Sequence, residues 1–392
     1  MPPVKPKLFF LTTVQESIEG FLKDQIRFLG MNGFDTMMGC AITNESDINK
    51  LEQEANSKFY SLPLTRKITP FKDICAIWKT YRLFRKLKPD VVMTYTPKAN
   101  MIGAIAGFLA GVPLRLTFVV GLPLMNKRGV LRTLLSNIER LNYFFSTNVF
   151  PNSFGLKDFI IENISKSSKI RVVGNGATNG VNIDFFSKNN ALSMQSQSLR
   201  ESIKINNNDF VWIFVGRVVG DKGINELVSA FVTFQQKYVK NKLLIVGTFE
   251  EELDPLLPET KEAILNHQAI LHVGFQKDVR IYYDLSDVLV FPSYREGLPG
   301  VVLEAGCMGL PLILSDINGC NEIVINEECG LLVPVRDIDA IYNAMERMYN
   351  SEELRNTFSS KSQKNIREKY SENVVWNYMK LELESLLNKR SQ

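Results

Sequence analysis

Short apolar runs alternate along the whole chain with segments of helix length. The runs occupy residues 7–13, 35–40, 90–96, 114–120 and 147–153 in the first half, and 210–216, 242–247, 269–274, 287–293 and 311–316 in the second. Continuous apolar strands separated by helices are typical of parallel sheets that are covered by helices on both faces. The pattern therefore predicts an α/β protein with ten buried strands.

The strand pattern starts again near residue 210, after the polar segment SKNNALSMQSQS at 187–198. Because Asn, Ser and Gln dominate this segment, we interpret it as an interdomain linker. A chain of 392 residues also exceeds what one hydrophobic core usually organises. We therefore expect two doubly wound, Rossmann-like domains at 1–190 and 200–371, and a last helix at 372–389 that packs back on the first domain.

The composition is that of a soluble globular protein, because 45% of the residues are hydrophobic and 22% are charged. The net charge of +4 suits anionic small molecules or an anionic membrane surface, and it is too small to indicate nucleic-acid binding. The best candidate for a membrane span, at 101–124, is interrupted by Pro113 and Arg115. It predicts a buried helix, a turn and a buried strand rather than a span.

Five cysteines are present, and no two of them form a CxxC pair. An odd number without this spacing disfavours a disulfide framework or a structural zinc site and fits a reducing cytoplasm. The apolar stretch near the N-terminus is too short for a signal peptide and predicts a first strand. We expect a cytoplasmic protein, either soluble or peripheral to a membrane.

The first candidate binding loop is FVGRVVGDKGINEL, at 214–227. Gly216 ends a predicted strand, Arg217 follows it, and Lys222 stands where the next helix begins. In open α/β sheets ligands bind outside the carboxyl ends of the strands, and two cations beside a helix N-terminus suit a diphosphate. A basic surface loop with a solvated lysine is the alternative, because short motifs are weak signals.

The second candidate loop follows the predicted strand at 287–293 and contains two carboxylates, Glu296 and Glu304. Pro299 is expected in the first turn of the next helix, where its missing N–H costs nothing. The amides expected to face an anion or a sugar are those of Gly297, Leu298 and Gly300. Glu304 lies in an apolar run, so it needs strong donors, such as the two hydroxyls of a ribose. A solvated loop glutamate and a salt-bridged structural glutamate are the respective alternatives.

Several segments together resemble the retaining family 4, or group 1, glycosyltransferases. The donor site of that family resembles the segments REGLPGVVLEAGCMGLPLILSDINGCNEIV and CGLLVP. Its phosphate-binding segment resembles GRVVGDKG, and the approach to its interdomain linker resembles NSFGLKDFI and GNGATNGVNIDFF. YTPKANMIGAIAG resembles a subset that builds bacterial surface polysaccharides or lipid-linked oligosaccharides. The resemblance covers most of residues 90–335. It implies a GT-B fold, in which two Rossmann-like domains face each other across a cleft.

The resemblance also implies a role for each residue of the two loops. Arg217 and Lys222 would neutralise the charge that develops on the leaving nucleoside diphosphate. Glu296 would hold the hydroxyls of the transferred sugar, and Glu304 the ribose. One carboxylate would then bind the sugar and the other the nucleotide.

The remaining donor contacts and the substrates also follow from the resemblance. The base would lie against Val273 and Phe275 of the segment HVGF. The donor is expected to be a nucleotide sugar, UDP-linked, that carries a hexose or an N-acetylhexosamine. The acceptor is expected to be a sugar or a sugar linked to undecaprenyl diphosphate, bound by the N-terminal domain.

The chain departs from the family at one position in its first half. Where the relevant subset carries His-Gly, this sequence has Val120 before Gly121, and both of its histidines lie in the second half. The leaving diphosphate can itself accept the proton of the acceptor in front-side, retaining transfer, so the missing histidine need not abolish activity. Lys98, at a helix start, is a candidate cation of the N-terminal domain. A solvated lysine is the alternative.

No metal or other cofactor is expected, because two cations already serve the diphosphate. Asp337 and Asp339 share the Asp-x-Asp spacing of metal-dependent transferases, yet they precede a helix, where aspartates serve as caps. His267 and His272 are predicted to be structural, because no third ligand is near in sequence.

Residues 126–145 form a predicted amphipathic helix with Lys127, Arg128, Arg132 and Arg140 beside an apolar face. This helix either rests on the cytoplasmic face of the inner membrane, where a lipid-linked acceptor is presented, or packs as an ordinary amphipathic helix on the N-terminal sheet. Both interpretations stay open at this stage.

The resulting hypothesis is a retaining, metal-independent glycosyltransferase of polysaccharide biosynthesis, which works by positioning and by charge stabilisation. One alternative is a nucleotide-sugar 2-epimerase of the same architecture, which needs acid and base groups around C2. A second is a catalytically silent nucleotide-sugar-binding partner of another subunit. A NAD-dependent dehydrogenase is disfavoured, because GATNGVN does not match GxGxxG.

Overall fold

A computed structural model of the protein describes residues 5–391, except for 43–46, 67–68, 127, 251 and 253. The chain divides into two compact units. The N-terminal unit lies within Met1–Asn179 and Glu372–Gln392, and the C-terminal unit is Gly180–Ser371. Each unit contains its own parallel sheet.

The N-terminal unit contains a six-stranded parallel sheet with helices on both faces. In chain order its elements are β1 (Lys7–Val14), α1 (Gln15–Phe21), α2 (Lys23–Met31), β2 (Asp35–Ala41), α3 (Ile48–Ala55), β3 (Lys58–Ser61), α4 (Pro70–Leu87), β4 (Val91–Thr94), α5 (Pro97–Ala110), β5 (Leu114–Val119), α6 (Gly129–Phe145), β6 (Asn148–Pro151) and α7 (Phe154–Asn163). The strand order is β3-β2-β1-β4-β5-β6.

The C-terminal unit repeats this plan with a second six-stranded parallel sheet. Its elements are α8 (Asn190–Ser202), β7 (Phe210–Val215), α9 (Ile224–Lys237), β8 (Asn241–Val246), α10 (Pro258–Asn266), β9 (Ile270–His272), α11 (Arg280–Asp284), β10 (Val288–Phe291), α12 (Gly300–Cys307), β11 (Leu312–Ser315), α13 (Cys320–Ile323), β12 (Leu331–Val333), α14 (Ile338–Asn350) and α15 (Glu352–Tyr370). The chain then returns to the N-terminal unit as α16 (Glu372–Ser391). The strand order of the second sheet is β12-β11-β10-β7-β8-β9.

The two sheets have the same topology, because in each the first strand lies beside the fourth and the order reverses between them. These pairs are β1 with β4 and β7 with β10. In doubly wound sheets ligands bind outside the carboxyl ends of the strands at this switch point. The topology therefore places a candidate site at the ends of β7 and β10, and a second one at the ends of β1 and β4.

All ten strands predicted from the apolar runs are present in the structure. Two further strands, β3 and β12, were not predicted; each lies at one edge of its sheet, and the predicted strands β6 and β9 lie at the opposite edges. Both unpredicted strands are short, and in β3 only Phe59 is fully buried. An edge strand has a neighbour on one side only and does not need the continuous apolar run of a central strand.

The predicted linker at 187–198 is wrong, because most of this segment forms helix α8 of the C-terminal unit. Asn189 caps the helix by accepting a hydrogen bond from the amide of Leu192. Near the other end, Arg200 donates to the backbone carbonyls of Leu285 and Asp209. Ser193, Gln195, Gln197 and Ser198 lie on the exposed face of a docked helix, whereas Ser196 is buried and donates to Asp284. The division between the units falls earlier, at 179/180.

The C-terminal helix α16 belongs to the N-terminal unit, where it packs on α2. Met379 and Leu383 enter the same core cluster as β1 and β2. Trp376 donates from Nε1 to Asn179 at 2.8 Å, and the guanidinium of Arg171 forms a bidentate pair with Glu382. Apolar burial and these polar contacts together hold the helix on this unit.

The apolar stretch at 101–124 forms most of α5, a turn and β5, as predicted. Pro113 and Arg115 lie in the turn and at the start of the strand, and Arg115 donates to the backbone carbonyls of Phe145 and Val112. Within the residues that the structure describes, no helix combines the length and the apolar character needed to cross a bilayer.

Candidate active site

The candidate site lies at the carboxyl edge of the C-terminal sheet, where β7 and β10 are neighbours. Arg217 and Lys222 follow β7, and Glu296 follows β10. The two loops meet at Gly223, whose φ is +72° and where a Cβ atom would lie 2.1 Å from the carbonyl oxygen of Pro292. Only glycine permits this approach, so the sequence Lys222-Gly223 brings the lysine to the loop that contains Glu296.

Lys222 and Glu296 form a salt bridge with each other. Their side chains are only 15% and 14% exposed. The ammonium of Lys222 also lies 5.3 Å from the centre of the Phe291 ring, and Asn318 donates to the backbone carbonyl of Glu296. Neither residue is solvated, so the two alternatives of a solvated lysine and a solvated loop glutamate are wrong.

Arg217 lies directly after Gly216, whose φ of +151° ends β7. Its Nη1 donates to Oε2 of Glu250 at 3.2 Å, and both side chains stay partly exposed, at 41% and 34%. An exposed pair of this kind contributes little stability. Arg217 is therefore available to another anion that displaces Glu250.

The sequence analysis missed two side-chain pairs that brace these loops. Arg295 donates from Nη2 to Asp221 at 2.7 Å, and the hydroxyl of Tyr294 donates to Glu226 at 2.6 Å. The partners lie 74 and 68 positions apart in the chain. No local pattern predicts such pairs, because they form only when β7 and β10 become neighbours.

Helix α12 begins at Gly300, so the prediction that Pro299 lies in its first turn is wrong. Pro299 directly precedes the helix, and its ψ of 116° keeps it outside the helical region. Among the described residues, no acceptor receives a backbone hydrogen bond from the amides of Leu298 or Gly300. These amides at the helix start are available to an anion or a hydroxyl.

The turn around Gly297 is held in place by the loop after β11. Gly319 has a φ of +80°, and a Cβ atom at this position would lie 1.9 Å from the carbonyl oxygen of Gly297. Because any larger residue would displace the turn, Gly319 lets the chain pass directly behind the free amides.

Glu304 lies on α12, partly buried, and its carboxylate accepts a hydrogen bond from the hydroxyl of Tyr283 at 3.2 Å. Burial raises the pKa of Glu304 to about 7, and the hydrogen bond from Tyr283 opposes that rise. Among the described residues no cation forms an ion pair with it, so the salt-bridged alternative is wrong. The carboxylate has one weak donor and can accept further hydroxyl donors.

The segment predicted to hold the base, Val273 and Phe275, follows β9 at the same edge of the sheet. The amide of Val273 donates to the carbonyl of Ile245, and the amide of Gly247 donates to the carbonyl of Gly274. These bonds hold the backbone, while the ring of Phe275 is 73% exposed. An exposed ring offers a stacking surface, and its contact with a base stays a prediction.

Both histidines contact neighbouring residues of the C-terminal unit. A ring nitrogen of His272, Nε2, lies 2.7 Å from the carbonyl oxygen of Gly247, and its ring packs against Phe249. His267 accepts a hydrogen bond from the amide of Ala269 at 3.2 Å. Within the described part of the chain, no three His, Cys, Asp or Glu side chains form a group that could hold a metal ion.

The cap interpretation of the Asp-x-Asp pair is confirmed for Asp337. Its side chain accepts a hydrogen bond from the amide of Ala340 at 2.8 Å, at the start of α14. Asp339 lies in the first turn of the same helix, where a negative charge interacts favourably with the helix dipole.

Known proteins similar to this chain match it over nearly its whole length. Residues 195–365 match the family described as glycosyl transferases group 1, and residues 42–176 match a glycosyl transferase 4-like domain. A capsular polysaccharide biosynthesis glycosyltransferase of Staphylococcus aureus, CapM, is 34% identical over 385 residues, which cover 97% of each chain. The chain belongs to the group 1 glycosyltransferases.

Two further known proteins are similar to this glycosyltransferase. An Escherichia coli protein named UDP-Gal:alpha-D-GlcNAc-diphosphoundecaprenol alpha-1,3-galactosyltransferase is 31% identical over 300 residues, 76% of each chain. The crystal structure of Anabaena HepE in complex with UDP and glucose superposes with a TM-score of 0.79 at 17% identity, covering 97% of this chain and 100% of that one. That likeness shows that the glycosyltransferase has the GT-B fold.

In the N-terminal unit of the glycosyltransferase, Lys98 lies in the first turn of α5, as predicted. Its ammonium is paired with Asp73 of α4, at 2.7 and 2.6 Å from the two carboxylate oxygens, and both side chains are 10% exposed. The alternative of a solvated lysine is therefore wrong. Gly121 lies in the loop after β5, with open space where a side chain would be.

Proposed function

We propose that this glycosyltransferase transfers a hexose or an N-acetylhexosamine from a UDP-sugar, with retention and without a metal, in polysaccharide biosynthesis. The observation that supports the proposal most is the Lys222–Glu296 pair at the switch point of the C-terminal sheet, beside Arg217. A cation for phosphate and a carboxylate for sugar hydroxyls lie there in direct contact.

In the proposed reaction, Arg217 and Lys222 stabilise the negative charge that develops on the diphosphate as the bond to the anomeric carbon breaks. Glu296 accepts hydrogen bonds from the transferred sugar, and Glu304 accepts them from the ribose. The diphosphate replaces Glu250 on Arg217 and adds a second anion to Lys222, so two cations of the protein stabilise its charge in place of a divalent ion.

Retention requires that the new bond forms on the face from which the leaving group departs. The acceptor hydroxyl oxygen bonds to the anomeric carbon, and its proton passes to the departing diphosphate oxygen. The amides of Leu298 and Gly300, which have no backbone acceptor among the described residues, would donate to groups on that diphosphate. This route needs no base from the N-terminal unit, where the family histidine is replaced by Val120.

The acceptor proposal rests on the relatives. The name of the Escherichia coli relative describes a sugar linked to diphosphoundecaprenol as its acceptor and UDP-galactose as its donor. We propose an acceptor of the same class, a sugar or an undecaprenyl-diphosphate-linked sugar, bound by the N-terminal unit at the cytoplasmic face of the inner membrane. HepE binds UDP with the same fold, which supports a UDP-linked donor.

The decisive experiment incubates the purified protein with UDP-, GDP- and ADP-sugars and short-chain lipid-linked sugars, with and without EDTA. We expect an EDTA-resistant release of UDP from one donor, and NMR of the product should show an α-linkage. A sugar epimerised at C2 would instead support the 2-epimerase. Nucleotide binding without turnover for any acceptor would support the catalytically silent partner.

A further inference from the structure

Helix α6 buries mainly polar residues and leaves most of its large apolar side chains exposed. Ser136, Glu139, Asn142 and Tyr143 are its buried residues. The large apolar side chains of the same helix that remain exposed are Val130, Leu131, Leu134, Leu141 and Phe144, of which Val130 is 87% exposed. An ordinary surface helix buries its apolar stripe. Helix α6 does pack on α5 and β5, with Leu135 against the core cluster that contains Tyr143, but most of its apolar stripe lies outside this contact.

Helix α4 exposes a second apolar set in its first turns: Phe71, Ile74 and Trp78, with Phe71 89% exposed. Helix α5 packs against both α4 and α6 and adds the exposed Phe108 and Leu109. These three helices form one surface, which we call the α4–α6 surface. Single exposed apolar residues are normal, but ten on adjacent helices indicate an interaction site.

The apolar side chains of α4 and α6 lie near the same edge of the sheet. Helices α5 and α6 begin after the carboxyl ends of β4 and β5. The Lys98–Asp73 pair joins the first turn of α4 to the first turn of α5. Phe71 and Val130 therefore stand at the carboxyl edge, where the topology places the second candidate site.

The exposed charges on the three helices are all positive. Their only acidic residues, Asp73 and Glu139, are 7% and 6% exposed. The exposed cations on the helices are Lys72, Lys79, Arg82, Arg85, Lys86 and Arg140, and Arg128 lies directly before α6. The chain as a whole carries 46 basic and 42 acidic residues, so this separation is local. Lys127 lies outside the described residues.

We propose that the α4–α6 surface docks on an anionic lipid bilayer, so that the N-terminal unit meets its acceptor at the membrane. The proposal rests on the function proposed above, because a lipid-linked acceptor is presented there. Apolar side chains that enter the interface beside exposed cations are the features that bind anionic bilayers. Trp78, with the Arg82 guanidinium 4.8 Å from its ring, suits the headgroup region.

A second copy of the chain fits this surface less well. A two-fold dimer would place the same patch against itself, and its cations would face each other without acidic partners. Like charges brought together in this way repel. Charge complementarity therefore favours an anionic bilayer over self-association.

The test is sedimentation of the purified full-length protein with lipid vesicles. The vesicles contain phosphatidylcholine alone or with about one third phosphatidylglycerol. We expect at least tenfold stronger binding to the anionic vesicles, and weaker binding at high salt because the surface charges are then screened. Equal binding to both vesicles, or binding to neither, would overturn the proposal.

Matched variants distinguish binding through the α4–α6 surface from non-specific binding of the protein to vesicles. Trp78→Ser with Leu131→Ser, and separately Lys79→Glu with Lys86→Glu, should each lower vesicle binding at least tenfold. The controls are Val239→Ser with Leu265→Ser and Lys361→Glu with Lys364→Glu, which change exposed residues of the C-terminal unit. Unchanged binding in the first two variants would overturn the proposal. A monomer–dimer equilibrium that the same variants abolish would also do so.

UDP binding by calorimetry separates failure of docking from failure of the proposed function. The α4–α6 variants should bind UDP as the wild type does and transfer sugar to a detergent-soluble acceptor. Wild-type protein that transfers sugar and ignores anionic vesicles would overturn the docking proposal alone. Wild-type protein that binds these vesicles through the α4–α6 surface and binds no nucleotide would overturn the proposed function alone.

Discussion

The two units share one strand order and differ in what stands at the switch point. In the C-terminal unit the loops after β7 and β10 contribute Arg217, Lys222 and Glu296. At the corresponding position of the N-terminal unit, Thr13 of β1 and Thr96 after β4 share a hydrogen bond of 2.6 Å between their hydroxyls. The fold creates the same switch point in both units, and the side chains make the C-terminal one charged and the N-terminal one neutral.

Each unit nevertheless contains a largely buried lysine–carboxylate pair. Lys222–Glu296 joins two loops at the switch point, whereas Lys98–Asp73 joins the first turns of α4 and α5. The amide and hydroxyl of Thr69 also donate to Asp73, which surrounds that carboxylate with donors. We infer that the first pair serves the reaction and the second holds two helices together.

The largest expected effect is on activity at Lys222. Lys222→Ala removes a charge that stabilises the leaving diphosphate, and we expect kcat to fall about 10³-fold, or about 4 kcal/mol. Steady-state transfer assays measure the loss, and Lys237→Ala, an exposed lysine of the same unit, is the control. Activity within tenfold of the wild type would contradict the assigned role.

The next effect is on stability at Lys98. Lys98→Ala leaves the carboxylate of Asp73 buried without its cation, and we expect the free energy of unfolding to fall by about 3 kcal/mol. Urea denaturation measures this change, and Lys98→Met with Asp73→Asn should recover most of it. A stable Lys98→Ala protein that has lost transfer activity would instead give Lys98 the catalytic role left open by the sequence.

The third expected effect is a pH dependence of nucleotide binding through Glu304. Burial favours the neutral form of its carboxyl group in the free protein, with a pKa of about 7. Ribose hydroxyls would favour the carboxylate, so UDP binding should weaken about tenfold for each unit that the pH falls below 7. Calorimetric titration of UDP binding, from about pH 5.5 to about pH 8, measures the slope.

Glu304→Gln tests the same assignment, because glutamine does not titrate. This variant should bind UDP more weakly and without the slope. A wild-type affinity that is flat with pH, or a Glu304→Ala protein that binds UDP as tightly as the wild type, would remove Glu304 from the ribose site.

The smallest expected effect concerns Glu250, which occupies Arg217 in the free protein. Glu250→Gln removes a competitor of the diphosphate, so the affinity for UDP should rise about threefold, as exposed pairs contribute at most about 1 kcal/mol. The control is Glu327→Gln, because Glu327 forms a similarly exposed pair with Arg347 of α14. A weaker affinity in Glu250→Gln would show that Glu250 supports binding instead.

Much of the fold was predictable because buried parallel strands need continuous apolar runs, which the sequence displays directly. The edge strands β3 and β12 and helix α8 were not predicted correctly, for a related reason. An edge strand is covered less, and a docked polar helix such as α8 differs from a linker only through contacts like those of Arg200 with Leu285 and Asp209. Local composition does not record such contacts.

The positions of Arg217, Lys222, Glu296 and Glu304 after strand ends could be inferred from the sequence, because loops after parallel strands meet at one edge. The sequence could not show which of these residues contact each other. The Lys222–Glu296 contact depends on Gly223 passing against Pro292, and the Arg217–Glu250 contact depends on the pairing of β7 with β8. The buried setting of Lys98 likewise arises from the packing of α4 on α5.

The sequence by itself determined ten of the twelve strands, the class of fold with two parallel sheets, and the family, because apolar runs and short motifs are local properties of the chain. Only the tertiary structure decided which face of α6 is covered. The amphipathic pattern of residues 129–145 shows two faces, but burial depends on what the neighbouring α5 and β5 present to the helix. Here the buried residues are mainly polar, and most of the large apolar side chains stay exposed, which the sequence of the helix alone could not show.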